Sequence, residues 1–174
     1  MMIKSLTVVT VALTAFQVQA SISATEFAQK LQAMGGSADD TRYKITTVTP
    51  QTRYQVVPQI LTAFDKLSDL NMQQADEISA DPNWATIDQT LIGDAWTNVI
   101  SAEISMLDSL VAKKDVLKRS SVSIHLSLGT YKAAANFLAD RVSSAVHSDQ
   151  VKYKVGKASS QLNIAFSGAL ETYA

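Results

Sequence analysis

His125 and His147 are the only histidines in the chain, and a metal site or a proton relay at neutral pH would call on at least one of them. Both fall in one predicted helix, near its two ends. At 1.5 Å per residue those ends stand about 33 Å apart, so the two cannot share a site. Metal-binding helix bundles use a Glu-x-x-His pair, and none of Glu26, Glu77, Glu103 or Glu171 has a histidine three residues on. Asp65 with Asp69, and Glu77 with Asp81, are carboxylate pairs one turn apart that read as solvated helix faces. There is no cysteine, which removes disulfides, thiolate metal sites and thiol nucleophiles together. No G-x-S-x-G, H-E-x-x-H, phosphate-loop or dinucleotide glycine pattern occurs. The sequence therefore names no catalytic residue, no metal ligand and no cofactor, and it points away from an enzyme.

Fifteen basic and sixteen acidic side chains give a formal charge of -1, without the basic excess of a nucleic-acid-binding domain. Lys113, Lys114, Lys118 and Arg119 crowd one predicted helix end, where they complement the helix dipole. Lys152, Lys154 and Lys157 open the last helix and belong at the opposite end of an antiparallel bundle, so the two clusters do not merge. Either is able to meet an anionic head group.

Apolar residues make up 47% of the 174 and charged residues 18%, enough for one packed domain. Met1–Lys4 is a short positive start, Leu6–Phe16 an apolar run, and Val18-Gln19-Ala20 places small side chains where a signal peptidase reads. Residues 1–20 are thus expected to be a secretory signal peptide, too short to span a bilayer, which needs about 20 apolar residues. Residues 21–174 are expected to form a single exported helical domain without a membrane span. Thr25 as cap, with Phe27, Leu31 and Met34 on one face, predicts a short first helix over 25–34, ended by Gly35-Gly36, with 37–49 a loop, partly extended at its β-branched end. Thr49-Pro50 starts a second helix whose stripe includes Val57, Ile60, Phe64 and Leu67, with Pro58 expected to kink it or set its start. Asp81-Pro82 starts a third, with the stripe Trp84, Ile87, Leu91, Ala95, Val99, Ile104, Leu107 and Val111, reaching about Lys118. Two heptad-like stripes follow: Ile124 to Ala145, then Val151 to Tyr173, broken by Ser148-Asp149. The short break predicts an antiparallel hairpin, and the whole an all-α, five-helix antiparallel bundle with a short first helix.

Trp96, Ile100, Met106, Leu126, Phe137, Ile164, Phe166 and Leu170 lie off the main stripes and widen the apolar arcs. They read either as a broad core or as an apolar cavity between helices.

The run Leu107-Asp-Ser-Leu-Val-Ala-Lys-Lys-Asp-Val-Leu117 resembles the leucine-rich helix and L-[IV]-x-K-K-x-x-[FL] signature of a fungal secreted family. That is the hydrophobic surface-binding protein A family, which includes the cell-wall galactomannoproteins. Leu128 to Val146, the break at Ser148-Asp149 and the ending Ala169-Leu-Glu-Thr-Tyr173 follow its pattern. The resemblance covers roughly residues 55–174, best 104–174. Ser37–Thr49 departs from it, and there is neither a Ser/Thr-rich stalk nor an Asn-x-Ser/Thr site. The resemblance implies a secreted protein, in some members cell-wall associated, that binds hydrophobic material and carries no catalytic residues. Two functions follow. One is binding of long-chain fatty acids or other lipids in an apolar cavity between the third, fourth and fifth helices. The expected lining is Trp96, Ile100, Leu107, Leu128, Tyr131, Leu138, Leu162 and Phe166, with the carboxylate near water or against a polar or basic group at one end. The other is adsorption to hydrophobic surfaces, with recruitment of an extracellular hydrolase.

Overall fold

The computed structural model describes residues 22–78, 82 and 84–174. Residues 1–20, expected to be a signal peptide, and Asp81 lie outside the described residues. Among those described there are five long helices and no strand. They are α1 (Ala24–Thr47), α2 (Arg53–Glu77), α3 (Thr86–Ala112), α5 (Ser121–Ala145) and α6 (Asp149–Thr172), with a single turn α4 (Lys114–Leu117) and a 3-10 turn (Lys118–Ser120) between α3 and α5.

The first helix is long, not short. Ser23 caps it, accepting from the Glu26 N–H at 3.2 Å, in place of the expected Thr25. It then runs through Gly35-Gly36. Two helical glycines cost about 2 kcal/mol relative to alanine. Ending the helix there would expose Ala38, Thr41 and Ile45, which continue the buried face of Leu31 and Met34. Burying the Ile45 side chain alone is worth roughly 1.5–3 kcal/mol. At Gly35 α1 packs against α3, where an added Cβ would make ordinary contact with the Val99 Cα at 3.7 Å. The β-branched residues tolerate the helix because their hydroxyls bond back to it: Thr41 to the Ser37 carbonyl at 2.8 Å, Thr47 to that of Tyr43 at 3.0 Å. The chain turns extended at Val48, just before Thr49-Pro50.

Thr49 and Thr52 cap one another: each backbone N–H donates to the other's hydroxyl, at 3.0 and 3.2 Å. α2 proper starts at Arg53, and Pro58 lies inside it. α3 starts at Thr86, after Trp84, and stops at Ala112 instead of reaching Lys118. At the break, Lys113 donates to the Val48 carbonyl at 3.1 Å, and the following turn carries Leu117 into the core.

The chain runs up and down, as expected. Lys30 pairs with Glu77, so α2 returns along α1. Tyr131 meets Phe166, and His125 lies 3.2 Å from the Leu170 carbonyl, so α5 and α6 form the antiparallel hairpin. The broadest faces, however, join helices that run parallel. Phe27 stacks on Trp84 and Gly35 meets Val99, placing α1 along α3. Asp94 pairs with Lys154, and Trp96 donates to Ser159, placing α3 along α6. Phe64 stacks on Tyr131, placing α2 along α5. The result is two layers, α1–α3–α6 and α2–α5, with one apolar core between them.

Candidate functional site

All eight residues expected to line a cavity are buried and belong to this one core. Trp96, Ile100 and Leu107 reach it from α3, Leu128, Tyr131 and Leu138 from α5, Leu162 and Phe166 from α6. The α5 and α6 stripes match the sequence reading closely. The α3 stripe holds in part: Trp84, Ala95, Val99 and Leu107 are buried as expected, and the rest is not. Ile87 and Leu91 are exposed, Ile104 and Val111 half-buried, and the inward face is Ile92, Trp96, Val99, Ile100, Glu103, Met106 and Leu110. Trp96, Ile100, Met106 and Phe166, off the stripes in sequence, are core, whereas Leu126 and Ile164 face solvent.

Glu103, Tyr131 and Asn71 stand together where the layers meet, and Gln74 is buried nearby in sequence on α2. Glu103 of α3 is 1% exposed. Burial pushes its carboxyl up from 4.5 to about 7, opposed in part by Tyr131 of α5 and by the Asn71 amide of α2. Asn71 also donates to the Leu67 carbonyl at 2.8 Å. The Tyr131 hydroxyl lies beside the Glu103 carboxyl, its polar neighbour in the core, and its own ionisation is strongly disfavoured by burial and by that carboxyl. Its ring is fixed between Phe64, at 6.1 Å, and Phe166, edge-on at 5.0 Å. One turn past Asn71, Gln74 is buried with its Oε1 unpartnered. Such orphans are uncommon, and each costs about 1–3 kcal/mol.

Sequence reasoning counted Glu103 only as a glutamate lacking a nearby histidine. Its signal was available: a carboxylate one turn from Ile100 and Leu107 on the inward face of α3. Gln89 was missed as well. Its Nε2 donates to the Trp84 carbonyl at 2.8 Å, and its Oε1 accepts from His147 and Ser148 N–H at 2.7 and 2.8 Å. It thereby ties the start of α3 to the α5–α6 loop, with no marker in the local sequence.

Clefts mark the surface formed by the described residues. One, of about 300 Å³, sits where α3 breaks and is lined by Lys114, Asp115, Lys118, Ser121, Thr172 and Tyr173. The lysine clusters do lie at opposite ends. The first is joined there by Arg53, which with Arg119 donates to the Tyr54 hydroxyl. None of the eight expected lining residues borders these clefts. No group of three or more metal-ligating side chains occurs among the described residues. Nor is any described helix long and apolar enough to cross a membrane.

No protein-family model matches the chain, and no curated protein matches it in sequence. Solved structures do match its fold. A crystal structure of AFMP4P in complex with palmitic acid aligns over 87% of this chain and 100% of that one, with a TM-score of 0.68 and 14% identity. Ligand binding domain 1 of the Penicillium marneffei MP1 protein, complexed with arachidonic acids, aligns over 85% and 96%, with a TM-score of 0.74 and 18% identity. Ligand binding domain 2 of that protein, complexed with multiple arachidonic acids, aligns over 88% and 97%, with a TM-score of 0.76 and 12% identity. The chain shares the all-α fold of these ligand-binding domains over most of its length.

Proposed function

We propose that this protein is a secreted, non-enzymatic lipid-binding module that takes a long-chain fatty acid or similar lipid between its two helix layers. One observation carries the reading: the fold is that of domains solved with palmitic or arachidonic acid, matched over nearly their whole length. The core supports it in chemistry, because α3, α5 and α6 offer one another continuous apolar faces. A chain entering between the layers exchanges side-chain contacts for acyl contacts, so apolar surface stays out of water. About ten buried methylenes, at about 0.8 kcal/mol each, match the roughly 8 kcal/mol of micromolar affinity before ordering costs.

Adsorption to hydrophobic surfaces fits less well. The large exposed apolar residues among those described are spread over all five long helices. The test is calorimetric titration with palmitate below its aggregation limit, beside displacement of a bound fluorescent acyl probe and native mass spectrometry of the purified protein. Saturable one-to-one binding is expected, and its loss in an Ala135→Leu variant that keeps its helical circular dichroism supports an interior site. No saturable heat and no displacement, with adsorption to apolar beads retained, makes surface coating the better reading.

A further inference from the structure

We propose that the end of the bundle where α2 and α5 begin is a docking surface for an anionic lipid bilayer, built from Arg53, Lys118 and Arg119 with the exposed side chains of Tyr54, Val122 and Leu126. This surface goes beyond the lipid-binding reading and does not depend on an interior site.

Charge is divided unevenly along the molecule. The helix directions bring the start of α2, the end of α3, the turns after it and the start of α5 to one end. Residues 48–58 and 110–126 carry Arg53, Lys113, Lys114, Lys118 and Arg119, against Asp115 as their one acidic residue. α1 adds Lys44 in its last turn, and α6 adds Glu171. Lys113 donates to the Val48 carbonyl, and Arg53, Lys114, Lys118 and Arg119 make no ion pair among the described residues. Helix dipoles explain Lys113 and Lys114, at the end of α3, but not the others. Arg53 opens α2, and Lys118 and Arg119 immediately precede α5. Positive charge is unfavourable at a helix start, and neither helix has an acidic residue in its first turn. The opposite end is built the other way. There α1, α3 and α6 begin with Glu26, Asp88 and Asp149 in their first turns, and Lys154 is paired with Asp94. A formal charge of -1 thus covers one distinctly positive end.

At that end two guanidinium groups converge on one phenol. Arg53 and Arg119 donate to the Tyr54 hydroxyl at 2.8 and 3.3 Å, and the Arg53 guanidinium lies 4.7 Å from the centre of the ring. Arg53, and after it Arg119, holds the phenol below its ordinary pKa. An anion from outside lowers the repulsion between the two like charges. Tyr54, Val122 and Leu126 are all exposed. Arg119, Val122 and Leu126 follow one another at spacings of three and four, so they share one side of the chain as it enters α5. Cations beside exposed apolar and aromatic side chains suit a bilayer interface. Phosphates meet the cations, the acyl boundary takes the apolar tips, and tyrosine sits at head-group level. An acidic protein or a nucleic acid would use the cations and leave Val122 and Leu126 in water.

The experiment is flotation of the full mature chain with vesicles of phosphatidylcholine alone, and of phosphatidylcholine with about one-third phosphatidylserine, at low salt and at about 0.5 M salt. Binding to the anionic vesicles is expected to be at least tenfold tighter than to the neutral ones, and to fall at least tenfold in high salt. Lys118→Gln with Arg119→Gln is expected to weaken it about 25-fold, at about fivefold per cation. Lys152→Gln with Lys157→Gln, at the other end, is expected to leave it within twofold. All four side chains are exposed, so both variants are expected to keep their helical circular dichroism. Val122→Ser with Leu126→Ser is expected to weaken vesicle binding at least fivefold while leaving retention on heparin unchanged. No preference for the anionic vesicles overturns the inference, and so does an equal loss in the two lysine-bearing variants. Vesicle binding untouched by the serine variant makes this a face for soluble polyanions and overturns the bilayer as its partner. A protein that docks on these vesicles but displaces no acyl probe keeps this surface and loses the interior site.

Discussion

Replacing Glu103 with glutamine should change not only the stability of the protein but its dependence on pH. In the folded protein the carboxyl is fully buried and titrates at about 7, against 4.5 when exposed to water. The fold therefore binds this proton more tightly than the unfolded chain does. The stability contributed by neutral Glu103 is complete below about pH 4.5. It is lost progressively as pH rises to about 7, because the buried group must then ionise. A shift of this size corresponds to about 3 kcal/mol, at 1.36 kcal/mol per unit. For a domain of this length, each kcal/mol moves the midpoint by about 2–4 °C. Glutamine keeps the shape and the hydrogen-bonding capacity but has no proton to lose. Thermal unfolding of both proteins, followed by far-ultraviolet circular dichroism from pH 4.5 to 8.5, isolates the effect, since all other carboxylates titrate alike in the two. The midpoint of Glu103→Gln should gain on wild type by about 6–12 °C across that range, with most of the gain before pH 7.5. A difference between the two that stays constant with pH would refute the reasoning, because it would mean that Glu103 is solvated or paired in the fold.

Gly36→Ala and Gly93→Ala should move stability in opposite directions in urea titrations. Gly36 has open space around a Cβ and should gain roughly 0.5–1 kcal/mol, whereas a Cβ on Gly93 would meet Val151 Cγ1 at 2.9 Å and should cost about 1–3 kcal/mol. Leu138→Ala should lower stability by about 2–5 kcal/mol, since its side chain is fully buried; a loss below 1 kcal/mol would show that the α5 face is not packed as described. Expressed in a secreting host, the chain should appear in the medium beginning at Ser21, and mass-spectrometric sequencing that finds Met1 on exported protein would contradict cleavage.

The fold class and the α5–α6 hairpin were legible in the chain because their information is local. Ile124, Leu128, Tyr131, Leu138 and Val142 repeat at helical spacing, and so do Val151, Val155, Ala158 and Leu162; all nine are buried. A periodic stripe next to a short break fixes both the helices and their return. Three features were decided only by tertiary structure. α1 continues through Gly35-Gly36 because the helix beyond them buries Ala38, Thr41 and Ile45 in the shared core, which does not show in local propensity. The inward face of α3 rotates away from Ile87 and Leu91 because α3 must serve α1, α6 and the facing layer at once, and a helix with several partners has no single stripe to read. Glu103, Tyr131 and Asn71 come from three helices, so their spacing in sequence carries no sign of their meeting. The sequence by itself determined that the fold is helical, where the α5–α6 hairpin turns and which of its residues could pack. The pairing of parallel helices into two layers determined which polar groups were carried into the core with them, because burial of an apolar face takes along whatever else that face bears.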